Sequence, residues 1–216
     1  MSAVNAVNAP QLAHVDDHCI VAIKPSGLLS VPGRGPQGAD CLWSRVQACY
    51  ADALAVHRLD MSTSGLMLFA RHPVVHRDLS RAFAQREVLK RYVAVVHGQL
   101  ADDAGEIDLP LAADWPHRPR QHVDRVHGKP SLTRYRVLGR DTAHDTTRVE
   151  LEPFTGRAHQ LRVHLLALGH PILGDALYAP PVVHARSPRL MLHASALGFT
   201  HPVSGQTVRL ESPPPF

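Results

Sequence analysis

The 216-residue chain has only three cysteines, Cys19, Cys41 and Cys49, and none shares a Cys-x-x-Cys spacing. An odd, scattered set of this kind excludes a disulfide framework and a cysteine-based zinc site, so the three are expected as small buried apolar groups. No apolar run approaches the roughly 20 residues that span a bilayer, and Met1 to Pro10 has neither a basic n-region nor an apolar h-region. The expected setting is the cytoplasm, with no membrane partner. Nucleotide and nucleophile signatures are missing too. Pro32-Gly33-Arg34-Gly35-Pro36 is glycine-rich, but it lacks the Gly-Lys-Ser/Thr ending of a phosphate-binding loop and the Gly-x-Gly-x-x-Gly of a dinucleotide fold. It is expected to shape one wall of a cleft. Ser64 sits in Thr-Ser-Gly rather than Gly-x-Ser-x-Gly, so no nucleophile elbow is indicated. Of the 16 histidines, His14 with His18 and His72 with His76 have the i, i+4 spacing of helical ligands. Neither pair carries the Glu of a His-Glu-x-x-His site or a third ligand close by in sequence, and no metal is expected.

What the chain does have is an ordinary globular composition, 44% hydrophobic and 19% charged, with 18 prolines that imply many loops and strand ends. One core and a single domain over residues 1–216 are expected, with residues 1–17 as a flexible or loosely packed lead-in. The net charge of +4 is unevenly spread. From Trp115 to Arg140 there are seven basic residues, Arg118, Arg120, Arg125, Lys129, Arg134, Arg136 and Arg140, against the single acid Asp124, which leaves 16 basic against 18 acidic residues elsewhere. Such a segment is either a phosphate-contacting surface or simply a solvated basic face.

Hydrophobic patterning places strands at Cys19 to Ile23, Leu66 to Ala70, Leu89 to Val96, Ser131 to Leu138, Thr147 to Leu151 and Arg189 to Leu197, and a hairpin over Gly198 to Leu210 turning at Ser204-Gly205. Helices are expected from an Asp40 cap through Tyr50, with Leu42, Val46 and Cys49 on one face, and from Pro73, with an apolar stripe of Val74, Val75, Leu79, Ala82 and Phe83. A third starts from a Thr155 or Gly156 cap, buries Leu161, Leu165 and Leu168, places Arg162 at the edge of that face and stops at Gly169. The prolines between Leu109 and Pro119 break regular structure, so the basic segment is expected as an extended excursion. Strands outnumber helices without regular alternation, which is the pattern of an α+β domain on a largely antiparallel sheet.

The stretch from Ala55 to Phe69 sets Arg58 and Asp60 two residues apart, ahead of a Thr-Ser-Gly turn and a buried strand. A carboxylate held there is either half of a structural ion pair or a reactive group. Carboxylates attack or stabilise anomeric carbons, but a glycoside hydrolase needs a second, proton-donating carboxylate, and none stands in a comparable setting. A lone Asp among Arg residues suits a nucleoside whose base leaves and is recaptured.

His57-Arg58-Leu59-Asp60 followed by Thr63-Ser64-Gly65-Leu66 resembles the catalytic motif of the RluA-type pseudouridine synthases, and Thr155-Gly156-Arg157-x-His159-Gln160-Leu161-Arg162-Val163-His164 resembles their later motif. Lys24-Pro25-Ser26-Gly27-Leu28, Lys90-x-Tyr92 and Gly169-His170-Pro171-Ile172-x-Gly174-Asp175 match in the same order across nearly the whole chain. The resemblance implies an α+β catalytic fold with a central mixed, mostly antiparallel sheet flanked by helices and loops, an RNA substrate and no cofactor. It implies Asp60 as the catalytic carboxylate, acting at C1′, at C6 or on a ribose proton. Tyr92 would stack on uracil, Arg162 would pair with Asp60, and Arg58 would occupy the place of a flipped nucleotide. His57, Arg157 and the basic residues Arg118, Arg120, Arg125 and Lys129 are expected substrate contacts; His159 and His164 are expected as packing or phosphate-contacting groups. Since only about twenty residues precede the first expected strand, no S4 RNA-binding domain is expected, and the protein is read as a monomer. The tract Asp114-Trp115-Pro116-x-Arg118-Pro119 and the short length resemble the branch that modifies both tRNA, at the first position of the anticodon loop, and a large-subunit rRNA hairpin. The alternative is a non-catalytic RNA-binding or chaperone module acting on stem-loops.

Overall fold

Ser64 to Ala70 shows no polar alternation, and a run of that kind is stable only as a strand covered on both faces. In the computed structural model, which describes residues 9–35 and 38–216, it is strand β4 (Ser64–Ala70), buried at every position. Twelve strands and four α-helices form among the described residues. The chain divides into two compact units, Met1–Leu89 with Ala194–Pro215, and Lys90–His193 with Phe216.

In the first unit β4 is flanked by β2 (Cys19–Lys24), and β1 (Gln11–Val15) adds to β2, both antiparallel. Strand β1 lies in the lead-in expected to be loose; its alternating exposed and half-buried residues show a one-sided edge strand. Residues 1–8 of that lead-in, and Pro36 of the glycine-rich loop, lie outside the described residues. The short β3 (Leu54–Ala55) also pairs with β4. On the other side of β4 comes β11 (Leu192–Thr200), hairpinned to β12 (Thr207–Glu211) as expected. Gly65 makes that neighbour possible: its φ is +117°, and a Cβ would lie 2.3 Å from the Ala194 carbonyl oxygen. Helix α2 (Pro73–Gln85) starts on Pro73 and buries Val75 and Leu79 on β4, whereas Val74 faces solvent.

Helix α1 (Leu42–Cys49) corrects two expectations. Its cap is Cys41, whose sulfur accepts the Ser44 N–H while Ser44 Oγ accepts the Cys41 N–H. Asp40 instead holds Arg45 through two bonds of 2.7 and 2.8 Å. Cys19 and Cys41 are buried as expected, but Cys49, the last residue of the helix, is exposed.

The second unit is the antiparallel sheet β5 (Leu89–His97), β10 (Thr146–Pro153), β9 (Leu132–Asp141) and β6 (Ala104–Asp108), in that order. Leu161 and Leu165 of helix α3 (Gln160–Ala167) pack on Ala94, Val96, Val149 and Leu151. Leu168, expected on that face, is 38% exposed just beyond the helix. The expected cap is also corrected. Thr155 Oγ1 accepts the Leu132 N–H and donates to Gln160 Oε1, locking the loop to β9, and the cap position falls to His159 in a left-handed conformation. The basic excursion is not extended. It folds as a separate hairpin, β7 (Leu111–Ala113) with β8 (Gln121–Val123), closed by a 3-10 turn over Trp115–His117. Helix α4 (Pro181–His184) completes the unit.

Candidate active site

The Asp60 loop is held from below by a lysine. Lys24, at the end of β2 and fully buried, donates to the carbonyls of Pro25, Leu28 and Met61 at 2.9, 2.6 and 2.8 Å. Around it Ser26 Oγ donates to the Ser62 carbonyl, and the Gly27 N–H donates to the Met61 carbonyl. One residue ahead of Asp60, Leu59 is gripped at both backbone groups by the Ser30 hydroxyl, which donates to its carbonyl at 2.7 Å and accepts its N–H at 2.9 Å. The Asp60 carbonyl accepts the Thr63 N–H and closes the turn. The residues flanking a half-buried carboxylate are thus fixed through backbone and side-chain bonds, leaving little freedom at its Cα. The Lys-Pro-Ser-Gly-Leu run and the Asp motif are two halves of one clamp. Sequence patterning missed this, because a lysine is ordinarily assigned to the surface.

Arg58, between these anchors, is exposed. His57 is half-buried: its Nε2 accepts the Leu68 N–H at 3.0 Å and its ring stacks on Phe83 at 4.6 Å, contacts that fasten the loop to β4 and α2.

In the second unit Arg162 is 4% exposed on α3 and makes a two-bond fork to Asp175, Nε to Oδ2 at 2.8 Å and Nη2 to Oδ1 at 2.6 Å. Asp175 was not foreseen as its partner, although it closes the Gly174-Asp175 motif. Its Oδ1 also accepts the N–H groups of Leu177 and Tyr178. Gly174 has a φ of +71° and would place any Cβ 1.8 Å from the Arg189 carbonyl oxygen, so only glycine delivers Asp175 there. The Arg162 guanidinium lies 4.9 Å from the centre of the Tyr178 ring. The Tyr178 hydroxyl accepts the Gln121 N–H at 2.8 Å and meets His159 Nδ1 at 2.6 Å.

Tyr92 is half-buried on β5 opposite Leu151 and packs against the core beneath α3. His164 is fully buried and belongs to a packing network: Gln160 donates to Thr133 Oγ1, which faces His164 Nδ1 at 2.9 Å, and His164 Nε2 donates to the Leu109 carbonyl at 3.0 Å. Burial holds its pKa below the usual imidazole value, against the pull of the Leu109 hydrogen bond. Arg157 is exposed and donates to the Pro130 carbonyl. Of the seven basic residues from Trp115 to Arg140, Arg134 pairs with Glu106, Arg136 with Glu150 and Arg140 with Asp103. The charge excess therefore concentrates in and just after the β7–β8 hairpin, on Arg118, Arg120, Arg125 and Lys129.

Asp16, Cys19 and His201 approach closely enough to enclose an ion, but two of the three already hold backbone N–H groups. Asp16 Oδ1 accepts the His18 and Cys19 N–H groups. His201 Nδ1 accepts those of Val203 and Ser204, which leaves the proton of the neutral ring on the Nε2 that faces Asp16. Burial pushes the Cys19 thiol up to about 12. Asp16 thus ties the start of β2, through its bonds to His18 and Cys19, to the β11–β12 turn, through a 3.4 Å contact with His201 Nε2.

Residues 18–167 match the family model described as RNA pseudouridylate synthase. Over 95% of its length the chain is 55% identical to the dual-specificity RNA pseudouridine synthase RluA of Pasteurella multocida, covering 93% of that protein. It is 49% identical to the RluA of Escherichia coli K12, with 97% of each chain covered. Among solved structures it is similar to human RNA pseudouridylate synthase domain containing 1, at a TM-score of 0.81 and 28% identity over all of this chain and 87% of that one. With both catalytic-motif segments clamped as described, the chain belongs to the RNA pseudouridylate synthase family, in its RluA branch.

Proposed function

We propose that the chain isomerises uridine in two kinds of stem-loop, the tRNA anticodon loop at its first position and a large-subunit rRNA hairpin, with Asp60 as the reacting carboxylate. The activity itself goes with the family: the chain is an isomerase whose partner is RNA, and the relatives at 49 to 55% identity carry dual specificity in their name. A uridine in a loop has C1′ and C5 hidden by stacking, so the nucleotide is flipped out at a cost of a few kcal/mol. The exposed Arg58 takes the vacated place. With Asp60 acting, the C1′–N1 bond breaks, uracil turns, a C1′–C5 bond forms, N1 gains a proton and the C5 proton leaves to solvent. Tyr92 stacks on the base, and Arg162, pre-aligned by Asp175, serves as the counter-charge that orients Asp60 once RNA excludes water. His57 and Arg157 lie at the edges of the two motif segments as substrate contacts. We read the whole as one catalytic domain working in the cytoplasm as a monomer, one cleft serving each stem-loop.

The observation that carries this reading is the Lys24 and Ser30 clamp on both sides of Asp60, since binding alone has no need of a carboxylate held so firmly. Release of tritium from 5-³H-uridine in a tRNA anticodon stem-loop and in an rRNA hairpin tests it. Asp60→Ala is expected to abolish release while keeping RNA affinity within about tenfold, because affinity comes mainly from phosphate contacts. Normal turnover by that variant refutes the role of Asp60, and tight binding with no release by the wild type favours a chaperone.

A further inference from the structure

Trp115 is 69% exposed at the tip of the β7–β8 hairpin, and it is the largest apolar side chain left in solvent among the described residues. Its surroundings are built rather than loose. The tip is closed by the Asp114 N–H to the Arg120 carbonyl, the His117 N–H to the Asp114 carbonyl and the Arg120 N–H to the His117 carbonyl. The Asp114 carboxylate holds His117 Nδ1 at 3.0 Å. The hairpin base is anchored by Leu111, which packs with Val163 and Tyr178, and by the Gln121 N–H on the Tyr178 hydroxyl. The Arg118 guanidinium lies over the indole, its carbon 3.1 Å from the ring centre. It therefore covers one face and orients the ring.

We infer that Trp115, backed by Arg118, is a stacking platform for an unpaired RNA base outside the reacting nucleotide. The occupant follows from the chemistry. An indole backed by a guanidinium presents one π-face of raised affinity for a flat, electron-rich ring. Arg120 in the hairpin's turn and Arg125 and Lys129 in the segment just after β8 supply cations for the phosphates beside such a base. A base inside a duplex has both faces covered by its neighbours and cannot use the platform, so Trp115 selects looped over paired RNA. This deepens the proposed stem-loop specificity and rests on that reading for its substrate. It also gives Arg118 a different task from the other three: it completes the platform, and they carry the phosphate attraction.

Trp115→Phe, Trp115→Ala and the triple variant Arg120→Gln, Arg125→Gln, Lys129→Gln test the division of labour on two probes, a 17-nucleotide hairpin with a seven-nucleotide loop and a blunt duplex of equal length. Stacking by one base predicts that Trp115→Ala weakens hairpin binding by about 5- to 150-fold at an unchanged salt slope, while duplex binding moves less than about threefold. Trp115→Phe keeps most of the affinity but loses the hairpin-induced quench of tryptophan fluorescence, since the remaining Trp43 is tucked on the Ala53 carbonyl. The triple variant flattens the salt dependence for both probes and keeps the quench. Equal losses on hairpin and duplex, or hairpin binding by Trp115→Ala at wild-type strength, overturn the platform. Isomerisation is read separately by tritium release from the same hairpin. A quench without release leaves the platform standing and removes the substrate reading, and release without a quench does the reverse.

Discussion

The Arg162–Asp175 fork is a buried ion pair whose loss can be worked out from its geometry. Asp175→Asn keeps the shape of the side chain and one carbonyl oxygen. With that oxygen in the place of Oδ1, the bonds from Arg162 Nη2, Leu177 N–H and Tyr178 N–H survive, but the new NH₂ group points at the Arg162 Nε–H, donor against donor. The guanidinium, 4% exposed, then faces a neutral group in place of a carboxylate that is itself 1% exposed. Removing one partner of a buried pair costs about 3–5 kcal/mol. The surviving bonds and the Tyr178 ring beneath the guanidinium place this case at the lower end, about 3 kcal/mol. For a chain of this size that is a fall of roughly 6–12 °C in Tm.

Urea and thermal unfolding of Asp175→Asn, Arg162→Met and the double variant check the figure. If the cost is the lost pairing of Arg162 with the Asp175 carboxylate, the double variant, in which Met fills the guanidinium volume beside a neutral amide, is expected to recover about 2 kcal/mol relative to Asp175→Asn. An Asp175→Asn protein within about 1 kcal/mol of wild type would refute the reasoning, as would a double variant as unstable as the sum of the singles. With Asp175 proposed to position Arg162, kcat is expected to fall with RNA affinity little changed, a split that plain destabilisation of the fold does not produce below the melting range.

Two further outcomes follow from the same structure. Lys24→Met removes three charged hydrogen bonds from the carbonyls that fix the Asp60 loop, which is expected to cost about 2–4 kcal/mol in urea melts and to lower kcat on the order of 10²-fold; an unchanged kcat would separate the clamp from the chemistry. His164 has its folded pKa held below that of the unfolded chain, so its contribution is fully present above about pH 6.5 and is lost as pH falls from there towards the folded pKa, where the unfolded state takes a proton the buried ring refuses. The acid-side slope of stability between pH 7 and 5 is therefore expected to be shallower in His164→Gln than in the wild type, and parallel slopes would place the effect on other histidines.

The elements legible in the sequence were those in which one force decides. The unbroken apolar run of β4 and the proline start with a helical stripe of α2 leave a single stable arrangement. The misread positions were those where a side chain had two possible uses. Asp40 and Thr155 are both good caps by type, yet Asp40 is held by Arg45 and Thr155 by Leu132 and Gln160. Each cap then passed to a neighbour, Cys41 or His159, with a weaker cap or none. Local pattern does not reveal such competition, because the rival partner of Thr155 sits twenty-three residues back. The hairpin of the basic segment was hidden for a related reason: its prolines do break regular structure, but at the turn, between strands of three residues each.

At the site, the chemistry-bearing residues stood out by type and the residues that hold them did not. Asp60 and Arg58 attract notice as charges in an apolar context, while Lys24, Ser30 and Asp175 look like ordinary surface polar groups until their partners are known. Their burial changes what the motifs mean. The Lys-Pro-Ser-Gly-Leu run is a strap whose lysine never reaches solvent, and Gly65 and Gly174 are there because β11 and the Arg189 backbone pass within a Cβ radius. The proposed reactive carboxylate and its proposed counter-charge are each preset by groups outside the proposed reaction, which is the condition under which a single Asp can serve without a second acid. Loosening either support, by Lys24→Met or Asp175→Asn, should therefore lower kcat more than it lowers RNA affinity. Loss of RNA affinity from either substitution would instead place these residues in the binding surface and leave Asp60 without a rigid seat.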